Sequence, residues 1–255
     1  DFLIKDSKIK IYNFKRANGL NRSGILIKLP KPNQDLRTDL PTIGLKTVKN
    51  CIAAGLRGIV VKSKYNIFLD RKKCIRIANK KNSIKHVRNL IESGADIIDI
   101  GGESTRPGSK TIHPKMEWRR IEFMVKNFKK RFKNTCVSVD TRKSEVIQEA
   151  IKHNVDLIND VSGFNYSNLS LSLVNRYKKS KVLHHMQGTP DTMQKNPQYK
   201  NVLLDIYDFF EDQIKKFKYK NIIIDPGIGF GKNLKHNLSL ISKISLFHSL
   251  GFPIL

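Results

Sequence analysis

Residues 136–160 read CVSVDTRKSEVIQEAIKHNVDLIND and contain two short apolar runs, Cys136–Asp140 and Asp156–Asn159, each of which ends in polar side chains. β-branched residues through the middle of a short run are typical of a buried strand. Runs of the same kind occur at Asp96–Ile100, Lys181–His185 and Asn221–Asp225. The sequence therefore predicts five strands between residues 84 and 255.

Helical stretches separate these runs. Apolar side chains recur at helical spacing in two sets: Ile84, Val87 and Ile91, and Trp118, Ile121, Val125, Phe128 and Phe132. Such spacing predicts amphipathic helices. Repeated strand–helix units imply an α/β fold, a parallel sheet covered by helices. A TIM barrel or an open α/β sheet carries its chemistry at the carboxyl ends of the strands.

Three predicted strand ends carry Asp140, Asn159 and Asp225. Two acids and one amide that converge at the mouth of an α/β fold can bind a flat heterocycle with an amino group and ring N–H donors. Each of these residues alone is more often a helix cap or turn residue. Three such residues at corresponding strand ends make the cap or turn interpretation less favourable.

The loop after the first predicted strand reads DIGGESTRPG, residues 99–108. Its glycines, hydroxyls and single arginine can surround an anion, because Arg106 offers a planar fork of donors and Thr105 adds another. A glycine turn with a solvent-facing arginine explains the isolated string equally well.

Composition limits the classes of function. The chain has 255 residues with 39% hydrophobic and 27% charged residues, and no apolar window long enough to span a membrane. Three scattered cysteines indicate a reducing compartment, and we expect a cytoplasmic protein. The formal charge of +26 would attract polyanions, but lysine occurs throughout the chain. We therefore expect no specific nucleic-acid partner, with a basic polyanion-binding module as the non-enzyme alternative.

Two other motifs, a P-loop and a metal site, lack the residues or the spacing that they require. Gly229–Lys232 is not a P-loop, because Asn233 follows the lysine where serine or threonine is required. The pairs His184 with His185 and His113 with Glu117 could suggest a metal site. Adjacent residues on a strand point to opposite faces, so we favour a core or mouth-lining role for the histidines.

Five strings together resemble the dihydropteroate synthase family, in its order and spacing: DIIDIGGESTRPG (96–108), VSVDTRKSEV (137–146), LINDV (157–161), HMQGTP (185–190) and DPGIGFGKN (225–233). The resemblance implies a TIM barrel that joins a pterin-methyl diphosphate to 4-aminobenzoate with Mg²⁺, in a homodimer. It implies that Asp140, Asn159 and Asp225 hold the pterin, with catalytic roles for Asp140, Asp225 and Arg106. Thr105 and Arg106 would organise diphosphate and aminobenzoate, and Gly229, Phe230 and Lys232 would border the pocket.

The sequence also departs from the family pattern. The first-strand loop with its magnesium-contacting asparagine, and the basic motifs of the seventh and eighth strands, are not found, so the resemblance implies an incomplete (β/α)8 barrel with strands two to six. His184 stands where methionine is usual. We expect a fragment of a longer reading frame with little or no synthase turnover, because several charge-neutralising groups would be lost.

Residues 1–82 contain GILIKLPKP (24–32), QDLRTDLPTIG (34–44) and TVKNCIAAGLRGIV (47–60). These strings resemble the C-terminal domain of UDP-2,3-diacylglucosamine pyrophosphatase of lipid A synthesis. The resemblance makes Asp35 and Asp39 metal-binding candidates and gives an alternative activity; a plain turn capped by Asp39 is the simpler interpretation. We predict a small α/β segment over residues 1–82, followed by the partial barrel over residues 83–255.

Overall fold

The computed structural model describes residues 25–28, 42–56, 58–61 and 67–255. The chain divides into two compact units, Asp1–Arg88 and Asn89–Leu255. The expected domain boundary at residue 83 differs from this division by a few residues.

In the first unit, two short parallel strand pairs are described. Strand β1 (Ile25–Lys28) pairs with β3 (Gly58–Val61), and β2 (Thr42–Ile43) pairs with β4 (Ile67–Phe68). Helix α1 covers Leu45–Ala53, and α2, Arg71–Glu92, includes the division point. A small core of Ile43, Val48 and Cys74 holds the described part of this unit together, because apolar side chains from α1 and α2 pack against it.

The second unit alternates strands and helices along the chain. In chain order its elements are β5 (Ile97–Gly101), α3 (Pro114–Arg131), β6 (Cys136–Asp140), α4 (Ser144–Lys152), β7 (Leu157–Asp160), α5 (Asn168–Val174), β8 (Ser180–His184), α6 (Val202–Lys215), β9 (Ile222–Asp225) and α7 (Leu234–Ser242). A 3₁₀ helix, Ile244–Leu250, follows. The five expected strands are confirmed, each with bounds within one residue of the expectation.

The strands of the second unit form one parallel sheet in the order β5-β6-β7-β8-β9. After the 3₁₀ helix, Ile254 makes a parallel bridge to Ile224, so the chain returns to the edge of the sheet beside β9. Each strand joins the next in one direction without the reversal of a doubly wound sheet. This is the wall of a TIM barrel, as expected; the described residues form an open sheet and not a closed ring.

The core lies between one face of this sheet and its helices. Val137, Val139, Ile158, Leu183 and Ile224 alternate along their strands and are almost fully buried. Side chains that pack at helical spacing cover them, including Phe128 of α3, Ile147 of α4, and Ile206 and Phe210 of α6. Burial of one face leaves the alternate side chains of each strand on the other face.

Helix α3 carries the densest basic run of the sequence. His113 caps its first turn by accepting the Lys115 N–H, and Pro114 occupies the first helical position, where its missing N–H costs nothing. Basic residues in the last turn suit the negative end of the helix dipole, and Lys129 pairs with Asp156. Much of this charge therefore has a structural explanation. Among the helices that the structure describes, none has both the length and the hydropathy that a membrane crossing requires.

Candidate functional site

The sheet face opposite the core helices brings polar strand residues together. In the ladder, Asp140 of β6 lies opposite Asn159 of β7, and Asp225 of β9 lies opposite His184 of β8. Asn159 is opposite Val182, two residues before His184, so these polar side chains share one face. The three residues singled out in the sequence therefore lie on the same face near the carboxyl ends of their strands.

Several polar atoms on this face lack hydrogen-bond partners. Asp140 Oδ1, Asn159 Oδ1 and Ser138 Oγ are buried and unpartnered among the residues that the structure describes. The Asn159 amide donates to Asp99 Oδ2 at 3.2 Å, which fixes the direction of its free oxygen. An unsatisfied buried polar atom costs about 1–3 kcal/mol, so such a group usually has a ligand, a water or a functional role. The arrangement can accept N–H donors from a ligand.

Asp140 has an unusual protonation state. Burial, together with the nearby charges of Asp99 and Asp160, raises the pKa of its carboxyl to about 8. The carboxyl is therefore largely protonated at pH 7, because ionisation would place a charge in a poorly solvated site beside other acids. A protonated carboxyl both donates and accepts a hydrogen bond. Asp140 can therefore bind a ligand edge that carries both kinds of group.

Asp225 is held by the turn that follows β9. The Gly227 N–H donates to Asp225 Oδ1 at 2.8 Å. Gly227 has φ +69°, and a Cβ there would lie 1.9 Å from the His185 carbonyl oxygen, so this turn requires glycine. The turn fixes the Asp225 carboxylate and leaves Oδ2 facing His184 Nε2 at 3.6 Å.

The remaining predicted pocket residues follow in the same loop. Phe230 packs edge-on against the His184 ring, with 4.6 Å between centroids. Lys232 is only 3% exposed, and its ammonium donates to the Phe230 carbonyl at 2.9 Å and to His185 Nδ1 at 3.1 Å. Burial lowers the pKa of Lys232 to about 7, although the charge of Asp225 opposes the shift. Gly229 is exposed, and its N–H donates to Asn237 Oδ1.

The loop after β5 is anchored by a buried ion cluster that the sequence did not reveal. Lys143 Nζ lies 2.8 Å from Glu103 Oε1 and 2.5 Å from Glu117 Oε2. Arg142 Nε donates to Glu103 Oε2 at 3.1 Å, and the Thr141 hydroxyl donates to Glu117 Oε1 at 2.6 Å. Burial would raise the pKa of Glu103, but bonds from Lys143 and a backbone N–H outweigh it and lower the pKa. The cluster ties the loop to α3 and to the segment after β6.

Thr105 and Arg106 lie beyond this anchor, where the Arg106 side chain is exposed. The loop contacts the segment after β8, because the Gly108 N–H donates to the Pro190 carbonyl at 2.9 Å. Among the described residues, no hydrogen bond joins either side chain to Asp140, Asn159 or Asp225. The structure thus brings these three together and leaves Thr105 and Arg106 in a separate, accessible loop.

Sequence reasoning assigned no ligand role to Asp99, Ser138 or His184 on this face. Ser138 had a usable signal, because it lies two residues before the strand end at Asp140 and so shares a face with it. Asp99 had none, because the predicted strand ended at Ile100, whereas β5 ends at Gly101. His184 was expected to have a core or mouth-lining role, but its contact with Asp225 was not predictable, since that contact is set by the register between β8 and β9.

The candidate metal ligands of the sequence have other roles in the described residues. In the described ranges, no group of three or more His, Cys, Asp or Glu side chains could hold a metal ion. His113 caps α3, and Glu117 is paired with Lys143. The residues present thus do not form a cage for Mg²⁺. Asp35 and Asp39 lie outside the described residues.

Parallel strands added in one direction, with polar side chains at their carboxyl ends, define the class: TIM-barrel proteins with a site at the carboxyl ends of the strands. The family model described as pterin binding enzyme matches residues 69–255, and the chain belongs to this family. Curated relatives are dihydropteroate synthases: that of Escherichia coli (strain K12) is 38% identical over 179 residues, and that of Haemophilus influenzae is 37% identical over 174 residues. These alignments cover 68% and 66% of this chain.

Solved structures agree. The Yersinia pestis dihydropteroate synthase in complex with a sulfonamide drug is similar with a TM-score of 0.64 at 36% identity, over 67% of this chain and 63% of that one. The Xanthomonas albilineans enzyme with 4-aminobenzoic acid has a TM-score of 0.63 at 31% identity, over 69% of this chain and 63% of that one. The chain spans 63% of the length of the Escherichia coli relative.

The first unit has a different similarity. The family model described as LpxI C-terminal domain matches residues 11–84. This agrees with the resemblance that the sequence strings of residues 1–82 carry.

Proposed function

We propose that this chain carries the site of a dihydropteroate synthase, the enzyme that condenses 6-hydroxymethyl-7,8-dihydropterin diphosphate with 4-aminobenzoate in folate biosynthesis, and that the 255 residues by themselves bind the pterin with little or no turnover. The observation that carries the proposal is the set of Asp140, Asn159 and Asp225 on one sheet face, where Asp140 Oδ1 and Asn159 Oδ1 are buried and lack partners among the described residues. Family membership supports the same substrate class, because the curated relatives are synthases of this kind.

The proposed roles follow from hydrogen-bonding chemistry. The edge of a pterin presents an exocyclic amino group, a ring N–H and ring acceptors. Asn159 Oδ1 and Asp225 Oδ2 would accept the N–H groups, and the protonated Asp140 carboxyl would donate to a ring acceptor while it accepts a further N–H. The pterin would lie over the sheet face that carries these side chains, with Phe230, Gly229 and Lys232 at its border.

The proposed reaction exchanges one bond for another. The amine nitrogen of 4-aminobenzoate attacks the pterin methylene carbon and the C–O bond to diphosphate breaks. Diphosphate leaves with the electron pair, and the nitrogen loses a proton. Arg106 and Thr105 are proposed to meet the diphosphate or aminobenzoate, since an exposed arginine fork suits anionic oxygens. The buried cluster around Lys143 would hold the base of that loop in place.

The proposal includes three finer elements. Mg²⁺ would act as a counter-ion to the diphosphate. This ion commonly binds through substrate phosphates with few protein carboxylates. The described residues form no cage for it, so none of the proposed steps depends on it. A homodimer and a cytoplasmic location are further parts of the proposal. The cytoplasmic part rests on the sequence, because the three cysteines are scattered along the chain without the spacing of a disulfide framework.

Calorimetric titration of the full chain with 6-hydroxymethylpterin tests the function. Asp225→Ala should weaken binding roughly 10- to 150-fold, the range expected when a hydrogen bond to a charged group is lost. Asp212→Ala is the matched control, because Asp212 is an exposed aspartate on α6 and should leave the affinity unchanged. Fluorescence of the single tryptophan, Trp118, verifies that each variant is folded. Equal binding by wild type and Asp225→Ala, or no binding by the wild type, would refute the assignment.

The two alternatives have less support. The lipid A pathway pyrophosphatase activity would rest on Asp35 and Asp39, for which no geometry is described, so we do not propose it. A basic polyanion-binding module would not account for the unpartnered polar atoms on the sheet face.

A further inference from the structure

His184 is the last residue of β8 and lies on the same sheet face as the proposed pterin contacts. Its side chain is 3% exposed, and its ring packs edge-on against Phe230. Its Nε2 atom lies 3.6 Å from Asp225 Oδ2. The ring is thus fixed beside the carboxylate. Whether Nε2 donates or accepts a hydrogen bond there depends on which ring nitrogen carries a hydrogen.

The Val161 carbonyl determines the position of that hydrogen. His184 Nδ1 lies 3.1 Å from the Val161 oxygen. Because a carbonyl oxygen can only accept, Nδ1 must carry the hydrogen in this contact. Burial lowers the pKa of His184, and the Lys232 charge adds to this shift, against the opposing effects of Asp225 and the Val161 carbonyl. The ring is then neutral at pH 7, and Nε2 presents a lone pair.

Two acceptor atoms therefore face each other. Asp225 Oδ1 already accepts the Gly227 N–H, so Oδ2 is the oxygen that faces Nε2. Two acceptors 3.6 Å apart do not satisfy one another. A nitrogen that carries two N–H groups satisfies both, because it can lie about 2.9 Å from each, an ordinary hydrogen-bond length. A primary amino group on a flat ring has this chemistry.

We propose that His184 Nε2 and Asp225 Oδ2 together bind the exocyclic amino group of the pterin, so that His184 determines specificity for an amino-substituted ring. The inference rests on the proposed function, since it concerns the same site. It makes His184 a substrate contact, in addition to Asp140, Asn159 and Asp225.

The test compares two ligands on the full chain. 6-Hydroxymethylpterin carries the amino group, and 6-hydroxymethyllumazine carries an oxo group in its place. His184→Met removes the acceptor while it retains a side chain of similar size. We expect His184→Met to weaken pterin binding about 3- to 10-fold, as for loss of one neutral hydrogen bond, and to change lumazine binding less than about 2-fold. His184→Gln, which retains an acceptor, should recover part of the pterin affinity.

Two other outcomes of the binding comparison would overturn the inference. An equal loss for both ligands would show that His184 acts by packing alone. Unchanged or stronger pterin binding in His184→Met would show that Nε2 competes for Asp225 instead of assisting it. Either of these two outcomes rejects the role of His184. The proposed function still stands in that case if the wild type binds pterin and Asp225→Ala binds it more weakly. If the wild type binds no pterin, the role of His184 and the proposed function both fail. Trp118 fluorescence and circular dichroism confirm that each variant is folded.

Discussion

Replacing Asp140 by asparagine should change how the stability of the protein depends on pH. Asp140 lies on the sheet face with an unpartnered buried oxygen, and burial beside other acids raises the pKa of its carboxyl from 3.8 to about 8. Asparagine has nearly the same shape but does not titrate. The substitution therefore removes one proton equilibrium from the folded state while it conserves the packing.

The magnitude follows from proton linkage. Between pH 4 and pH 8 the unfolded chain releases the Asp140 proton, whereas the folded protein retains it. The free energy of unfolding therefore falls as pH rises, by about 1.4 kcal/mol per pH unit for one group in this window. From pH 5 to pH 7 the wild type should lose about 2.7 kcal/mol relative to Asp140→Asn.

The assay is urea unfolding at pH 5, 6 and 7, followed by the fluorescence of Trp118. This residue is the only tryptophan in the chain and belongs to α3 in the second unit, so the signal reports on the unit that contains Asp140. His185, whose pKa burial lowers to about 3, is present in both proteins, so its effect cancels in the difference between wild type and variant. Asp160 interacts electrostatically with Asp140 and has a pKa that burial raises to about 7. The interval from pH 5 to pH 6, where Asp160 is largely protonated in both folded proteins, therefore gives the cleanest comparison.

Parallel pH profiles for the wild type and Asp140→Asn would refute the reasoning, because they would mean that Asp140 is ionised in the folded protein. Asp212→Asn is the matched control. Its side chain is 71% exposed, and its profile should follow that of the wild type.

Two further predictions concern the architecture around the site. Gly227→Ala should lower the free energy of unfolding by more than Gly229→Ala does, because the new Cβ would lie 1.9 Å from the His185 oxygen, whereas nothing lies within 4 Å at Gly229. Both glycines have positive φ, so Gly229→Ala should cost only about 1–2 kcal/mol of backbone strain; similar urea midpoints for the two variants would contradict this. Lys143→Met should cost about 3–5 kcal/mol in the same assay, since it leaves the buried Glu117 without its cation and Glu103 with Arg142 alone. A loss below about 1 kcal/mol would indicate that these acids are protonated or solvated.

The local pattern of the sequence was sufficient for the secondary structure of the second unit. The β-branched runs became strands with bounds within one residue of the prediction, because a strand buried on one face needs such side chains whatever its neighbours are. Of the predicted helical set, Trp118, Ile121, Val125 and Phe128 lie within α3, and Phe132 is its C-cap residue. The polar strand ends were also visible, so the sequence identified Asp140, Asn159 and Asp225 before any contact was known.

Contacts between distant segments were decided by the tertiary structure alone. Lys143 meets Glu103 and Glu117 across 40 and 26 residues, a pairing that no local pattern encodes. His184 lies beside Asp225 because of the register between β8 and β9. The shifted pKa of Asp140 depends on burial and on the charges of Asp99 and Asp160, which the chain brings together only when the sheet forms. The sequence by itself determined which side chains end the strands, because period and composition are local properties. Their distances, protonation states and partners depend on the folded sheet, because desolvation and Coulomb interaction act through space and not along the chain.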